Sequence, residues 1–340
     1  MKKKKHSRIW AVAGIILLGI VAVGIIYSHF GGFGTGPCAD ETEFMQYADQ
    51  VDNIKIPEKT KIVALGEASH GNVEFQQLKL SLFQNLVEND GVRAFAREGA
   101  YGGCEYVNRY IHGGEGTARQ AAAAIGFAIY RTDEMADLIS YMRKYNETAK
   151  DGDDLRFYGF DMQRWSYNLQ YLIEACEKAG IDVTELKKLE DTEEQHSGHI
   201  ERSRNYGTDN RVMGNILSDE FGEGYFAIGT DFYKTNCNLP KNNGNRITHT
   251  FYSYDPLAKA AKKAGYDMCW LDFSKVPENL KLKEQISDSI FMGSLGEGYS
   301  PFFMSLIPRS YRISKTPEAL YDGMIFVTNA HPIEIRDEEQ

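Results

Sequence analysis

The stretch from Lys61 to Glu98 constrains the fold most. Lys61–Leu65 is short, apolar and β-branched and stops at Gly66, the pattern of a buried strand. Asn72 suits a helix cap, and apolar residues then recur at helical spacing at Phe75, Leu78, Leu82, Phe83, Leu86 and Val87. Asn89-Asp90-Gly91 stops that helix, and Val92–Ala96 reads as a second strand. Strand, helix, strand with short joints predicts a parallel pair joined by a right-handed crossover. The carboxyl ends of both strands then face one side, where ligands bind. Glu67 and His70 follow the first strand and Glu98 the second, so the pattern predicts all three at one sheet edge.

Later segments extend the α/β reading. A helix is expected over Tyr101–Ile111, followed by the Gly-rich loop His112–Gly116. Another starts near Thr132, with Asp133 and Glu134 in a first turn where acidic groups suit the helix dipole. Leu155–Phe160 reads as a strand ending at Asp161, and Tyr225–Gly229, Tyr266–Phe273 and Tyr321–Thr328 are further strand candidates. The expected fold is a mostly parallel central sheet flanked by helices, preceded by an N-terminal transmembrane helix. A chain of 340 residues is ample for such a core.

The N-terminus carries the membrane expectation. Lys2–Lys5 and Arg8 precede an uncharged apolar run of 19 residues from Ile9 to Tyr27. A spanning helix needs about 20 apolar residues and a signal-peptide core about 7–15, so length favours a retained anchor over a cleaved signal. The basic flank should stay in the cytoplasm, leaving the body extracytoplasmic. The expected layout is a basic segment 1–8, an anchor in the lipid bilayer over 9–28, a flexible tether 29–40 and one domain over 41–337.

The net charge is −10 although residues 1–8 carry five cations and no acid, so the body is more acidic still. Such a body repels phosphate backbones, which argues against nucleic acid as a partner. Cys38, Cys104, Cys176, Cys237 and Cys269 are scattered and form no CxxC pair, so they read as buried small hydrophobes.

The loop Gly66-Glu67-Ala68-Ser69-His70-Gly71 places a carboxylate and an imidazole between glycines. Histidine takes a proton near neutral pH and a carboxylate can orient its ring, so the pair could activate water. The bland alternative is a turn whose side chains only satisfy backbone groups. Arg97-Glu98-Gly99 adds a second carboxylate beside a cation, with a strand-capping ion pair as its alternative. His196-Ser197-Gly198-His199 could bind a metal or an oxyanion, or be a solvated pair among Glu193, Glu194, Glu201 and Arg202. There is no G-x-S-x-G elbow, H-E-x-x-H, P-loop or Rossmann fingerprint.

The stretch ALGEASHGNVEFQQLKLSLFQNLVE (64–88) resembles the erythromycin esterase family. VRAFAREGAYGGCEYVNRYIHGG (92–114), AIYRTDEM (128–135) and LRFYGFDMQ (155–163) continue the resemblance in order. HSGHIERS (196–203), MGNILSDEFGEGYFAIGTDFYK (213–234) and YDGMIFVTNAHPI (321–333) extend it through nearly the whole body. The resemblance implies hydrolysis of a macrolide lactone ester by activated water. His70 falls where the family has its general base, Glu67 and Glu98 on its two glutamates, and His196 and His199 on its histidine pair. Lys79 falls where the macrolide esterases carry an arginine, which keeps the cation and loses the bidentate fork. Arg131 and Asp161 fall in matching blocks and are expected to touch substrate. The family has a longer segment before its histidine pair, with an apolar strand leading into it; here Leu189–Gln195 does not read as a strand.

Three functions follow from this reading. The first is a tethered hydrolase of a small-molecule ester or lactone needing no cofactor, its acidic body suiting a cationic substrate such as an amino-sugar macrolide. The second holds a divalent metal in the same Glu/His cluster. The third is a non-catalytic extracytoplasmic binding protein that lost its chemistry with the shortened segment.

Overall fold

The computed structural model describes residues 2–29, 38–161, 164–189, 213–241, 244–253, 255–296, 298–300, 304 and 308–336. Its strands are β1 (Ala48–Asp49), β2 (Ile62–Leu65), β3 (Ala94–Ala100), β4 (Arg156–Asp161), β5 (Tyr225–Pro240), β6 (Arg246–Tyr252), β7 (Met268–Asp272), β8 (Ile290–Gly293), β9 (Arg312–Lys315) and β10 (Gly323–Ala330). The first helices are α1 (Lys2–His29), α2 (Glu41–Tyr47), α3 (Val73–Asn89), α4 (Tyr101–Ile111), α5 (Ala118–Ala124), α6 (Asp133–Asn146) and α7 (Trp165–Lys178). The chain divides into two compact units, Met1–Phe75 with Tyr225–Pro332, and Gln76–Gly224 with Ile333–Gln340.

The first unit holds a six-stranded sheet in the order β1-β7-β10-β5-β2, with β6 also paired to β5. Met324, Ile325, Phe326 and Val327 of β10 are buried, as a continuous apolar run in a central strand requires. Met324 and Phe326 join a core with Phe44, Leu257, Leu271 and Ile286. Val327 faces a second core with Phe75, Phe232, Phe251 and Tyr311. Side chains that alternate between two cores are the period-two signature of a sheet covered on both faces. Burying each such large side chain contributes roughly 1.5–3 kcal/mol.

This sheet is mixed, which corrects the expectation of a mostly parallel one. β10–β5 and β5–β2 run parallel, whereas β1–β7, β7–β10 and β5–β6 run antiparallel. For β5–β6 the cause is connection length: only a short segment joins the two strands, which reverses the chain, while a parallel neighbour needs a crossover of a dozen residues or more.

The second unit is built on a parallel pair, β3 and β4, with Arg97 opposite Gly159 and Ala100 opposite Asp161. The expected β2–β3 pair is therefore not formed: β2 pairs with β5 and β3 with β4. Helix α4 lies against α5 because Gly103 has no side chain. A Cβ there would sit 2.0 Å from the Ala124 carbonyl oxygen. α6 starts on Thr132, whose hydroxyl accepts from the Met135 N–H.

Helix α1 is continuous from Lys2 to His29, and residues 10–24 are exposed. Among the described residues no helix is long and apolar enough to cross a membrane.

Candidate active site

The turn after β2 is fixed by backbone groups before any catalytic side chain is considered. Leu65 is in register with Ile228 of β5, and the Gly66 N–H continues the ladder to the Ile228 carbonyl at 2.8 Å. The Thr230 hydroxyl donates to the Gly66 carbonyl at 3.1 Å and accepts from the Ala68 N–H at 2.9 Å. The Ala68 carbonyl accepts from the Leu295 N–H at 2.7 Å. Asn72 does not cap α3. Its amide donates to the Asn236 and His331 carbonyls at 3.0 and 2.9 Å, and its Oδ1 accepts from the Thr235 hydroxyl at 2.9 Å. Gly71 is required by close approach, since a Cβ would lie 2.3 Å from the Asn238 carbonyl oxygen and 2.6 Å from Cys237 Sγ.

On this frame His70 Nδ1 lies 2.7 Å from Glu67 Oε2. The side chains are 22% and 13% exposed, enough for one edge to meet solvent or a ligand. A ring nitrogen that donates to a carboxylate fixes the tautomer, so the basic lone pair is on Nε2. The same carboxylate stabilises the imidazolium that forms when Nε2 takes a proton. Ser69, the neighbouring hydroxyl, is wholly buried. Its Oγ accepts from the Gly71 N–H at 3.1 Å and lies 2.8 Å from Cys237 Sγ, so it braces the turn and is not presented as a nucleophile.

The remaining expected residues lie on other elements. Glu98 lies within β3 of the second unit, and its backbone carbonyl accepts from the Tyr130 hydroxyl at 2.8 Å. Lys79 donates to Gln76 Oε1, one turn earlier on α3, at 3.0 Å. The Arg131 carbonyl accepts from the Arg336 N–H at 2.7 Å. Asp161 is buried at the end of β4. His196 and His199 lie outside the described residues. Among the described residues no group of three or more His, Cys, Asp or Glu is arranged to hold a metal ion. Of the cysteines, Cys104, Cys237 and Cys269 are buried while Cys38 and Cys176 are half-buried; burial pushes the Cys104 and Cys269 thiols up to about 12.

Two features escaped the sequence reading. The first is a buried carboxyl pair in the first unit. Asp231 accepts from the Phe232 N–H, the Ser253 hydroxyl and the Gly293 N–H at 2.7, 2.8 and 3.0 Å. Asp255 caps the helix Pro256–Lys263 through the Leu257 N–H at 2.7 Å. Burial, and then the charge of Asp231, pushes the Asp255 carboxyl well above the usual carboxylate range. Its Oδ2 is buried and has no donor among the described residues, which a protonated oxygen donating to Asp231 explains.

The second feature is Arg97, only 5% exposed, whose guanidinium carbon lies 3.3 Å from the centre of the Tyr130 ring. Its Nη1 donates to Met135 Sδ at 3.4 Å, and its buried Nε has no hydrogen-bond partner among the described residues. A desolvated cation–π contact is worth about 2 kcal/mol, while an unpaired buried charge costs several.

A family model described as erythromycin esterase matches residues 87–195 and 193–330. An Escherichia coli protein, erythromycin esterase type II, is 33% identical over 110 residues, covering 32% of this chain. That match spans a quarter (25%) of the length of the Escherichia coli protein. A Bacillus cereus protein of known structure is 17% identical, with a TM-score of 0.63 over 88% of this chain and 100% of its own. A solved succinoglycan biosynthesis protein is 16% identical, with a TM-score of 0.63 over 87% of this chain and 98% of its own. At those identities the two structures speak to the fold alone.

Proposed function

The chain belongs to the erythromycin esterase family, and from that premise we propose that it is a carboxylic ester hydrolase in which His70 activates water. Family membership suggests a hydrolase; the ester or lactone substrate and the mechanism are the finer reading. The observation that carries it is the 2.7 Å His70–Glu67 contact on a turn whose backbone is braced on both sides.

In this reading Nε2 of His70 takes a proton from water as the water oxygen attacks the ester carbonyl carbon. Glu67 holds the ring and compensates the imidazolium. The tetrahedral intermediate collapses with cleavage of the C–O bond to the leaving group. The imidazolium returns its proton to the departing alkoxide, leaving an acid and an alcohol. A base so placed contributes roughly a hundredfold to ten-thousandfold in rate. Glu98, His196 and His199 are assigned as further catalytic residues, and Lys79, Arg131 and Asp161 as substrate contacts, on the family resemblance.

The test is hydrolysis of a panel of simple esters and lactones, macrolides included, by wild type and His70→Ala, each with and without chelator. Turnover lost in His70→Ala supports the reading, and the chelator arm separates a metal-assisted reaction from a metal-free one. A folded wild type inert on the whole panel would favour a binding role instead.

We also propose that α1 tethers the body to a lipid bilayer. The support is the uncharged run Ile9–Tyr27 within one unbroken helix, whose exposed side chains include Ile15 and Leu18.

A further inference from the structure

Glu67 stands between two peptide groups that a single side chain controls. The β2–β5 pairing ends at Leu65 and Ile228, while β5 itself runs on to Pro240. Thr230 is two residues past Ile228 on that continuing strand, and it is buried. Its hydroxyl donates to the Gly66 carbonyl at 3.1 Å and accepts from the Ala68 N–H at 2.9 Å. The Gly66 carbonyl belongs to the peptide plane before Glu67, and the Ala68 N–H to the plane after it. The tilt between those planes is set by φ and ψ of Glu67, the two soft backbone angles a residue has. One hydroxyl therefore sets the direction in which the Glu67 side chain leaves the backbone.

The residue type at position 230 fits this task. Ile228 and Phe232 share its face of β5, and both are fully buried and apolar. Valine would continue that row without burying a hydroxyl. Threonine keeps the branched shape, which restricts its rotamer, and adds one donor and an acceptor. The turn also has anchors that do not involve Thr230. The Gly66 N–H donates to the Ile228 carbonyl at 2.8 Å, the Leu295 N–H to the Ala68 carbonyl at 2.7 Å, and the Asn238 N–H to the Gly71 carbonyl at 3.2 Å. Removing the hydroxyl thus leaves the turn attached and frees the planes on either side of Glu67.

We propose that Thr230 is a positioning residue for the Glu67–His70 pair, its hydroxyl fixing the backbone of Glu67 so that the carboxylate meets His70 Nδ1. The inference rests on the reading of His70 as the general base. Thr230 touches no substrate and moves no proton; it acts through Glu67. Its contribution is to geometry, and a misplacement of about 1 Å at reacting groups costs roughly a hundredfold in rate.

The test compares full-length wild type with Thr230→Val, Thr230→Ser, Glu67→Ala, the Glu67→Ala/Thr230→Val double variant and His70→Ala. The first readout needs no substrate: the Nδ1–H proton resonance of His70 in chain made with isotope-labelled histidine, identified by its absence from His70→Ala. It should persist in Thr230→Ser and be lost or shifted upfield in Thr230→Val, as in Glu67→Ala. The second readout is hydrolysis of the best ester or lactone. Thr230→Val should lower kcat roughly ten- to a hundredfold with KM nearly unchanged. Thr230→Ser should stay within a few-fold of wild type. Once Glu67 is alanine, Thr230→Val should cost at most about twofold more, because the two residues act as one unit. Should the valine variant not fold, Thr230→Cys takes its place in both readouts, its weak thiol donor giving an intermediate effect. The inference is overturned if the His70 resonance is the same in Thr230→Val as in wild type, if the valine and serine variants lose activity alike, or if the valine effect is undiminished without Glu67. A His70→Ala chain as active as wild type refutes the base reading itself, and this inference falls with it.

Discussion

Asp255 is a carboxyl with no access to water, beside a second carboxyl that takes three donors. Its folded-state pKa is raised, first by burial and then by the Asp231 charge, so the folded chain binds that proton more tightly than the unfolded one. Stability from this group is therefore fully present below the ordinary carboxylate range near 4 and declines as pH rises toward the folded value. Every tenfold gain in proton affinity on folding contributes about 1.4 kcal/mol. Lys259, itself lowered by burial, and Arg312, which donates to the Ser253 carbonyl, are the cations near this pair and temper the decline. Asp255→Asn should flatten the fall of Tm as pH rises above the ordinary carboxylate range, because an amide donates to Asp231 at every pH; an unchanged slope would remove Asp255 as its source. The Glu67–His70 pair was legible in the sequence because its partners are three residues apart on one turn. Asp231–Asp255 and Arg97–Tyr130 were not, because each joins segments that only the fold brings together.

Elements were legible where one local pattern decided them. Tyr101–Ile111 and the start of α6 fall where their spacing and cap put them. β5 read as Tyr225–Gly229 yet runs to Pro240, because Asp231 and Thr235 break its apolar run and are buried by their hydrogen bonds. β6, β8 and β9 escaped notice: β6 is half-exposed with mixed chemistry, and β8 and β9 are four residues each. Two substitutions test the elements that hold the site and its neighbour. Gly71→Ala drives a Cβ into the Asn238 carbonyl and should cost at least about 2 kcal/mol in urea unfolding, with loss of any His70-dependent activity. Thr132→Ala removes the α6 cap and should cost about 1 kcal/mol, with catalysis unaffected.

At the scale of the whole molecule, strand direction was the part least visible in the sequence. An apolar run says that a strand is buried and not which way its neighbours point, so a mixed sheet and a parallel one read alike. The same limit misassigned β2 and β3 to one ladder. The proposed tether belongs to this scale too: the full chain should sediment with membranes and a chain lacking residues 1–28 should not, and equal behaviour would count against it. The central claim is that His70, held by Glu67, is the base of a hydrolase. Its most direct test is kcat/KM of His70→Ala against wild type on the best ester or lactone of the panel, with Tm measured alongside. The account expects a fall of roughly 10²–10⁴ at nearly unchanged Tm; activity within a few-fold of wild type would contradict it.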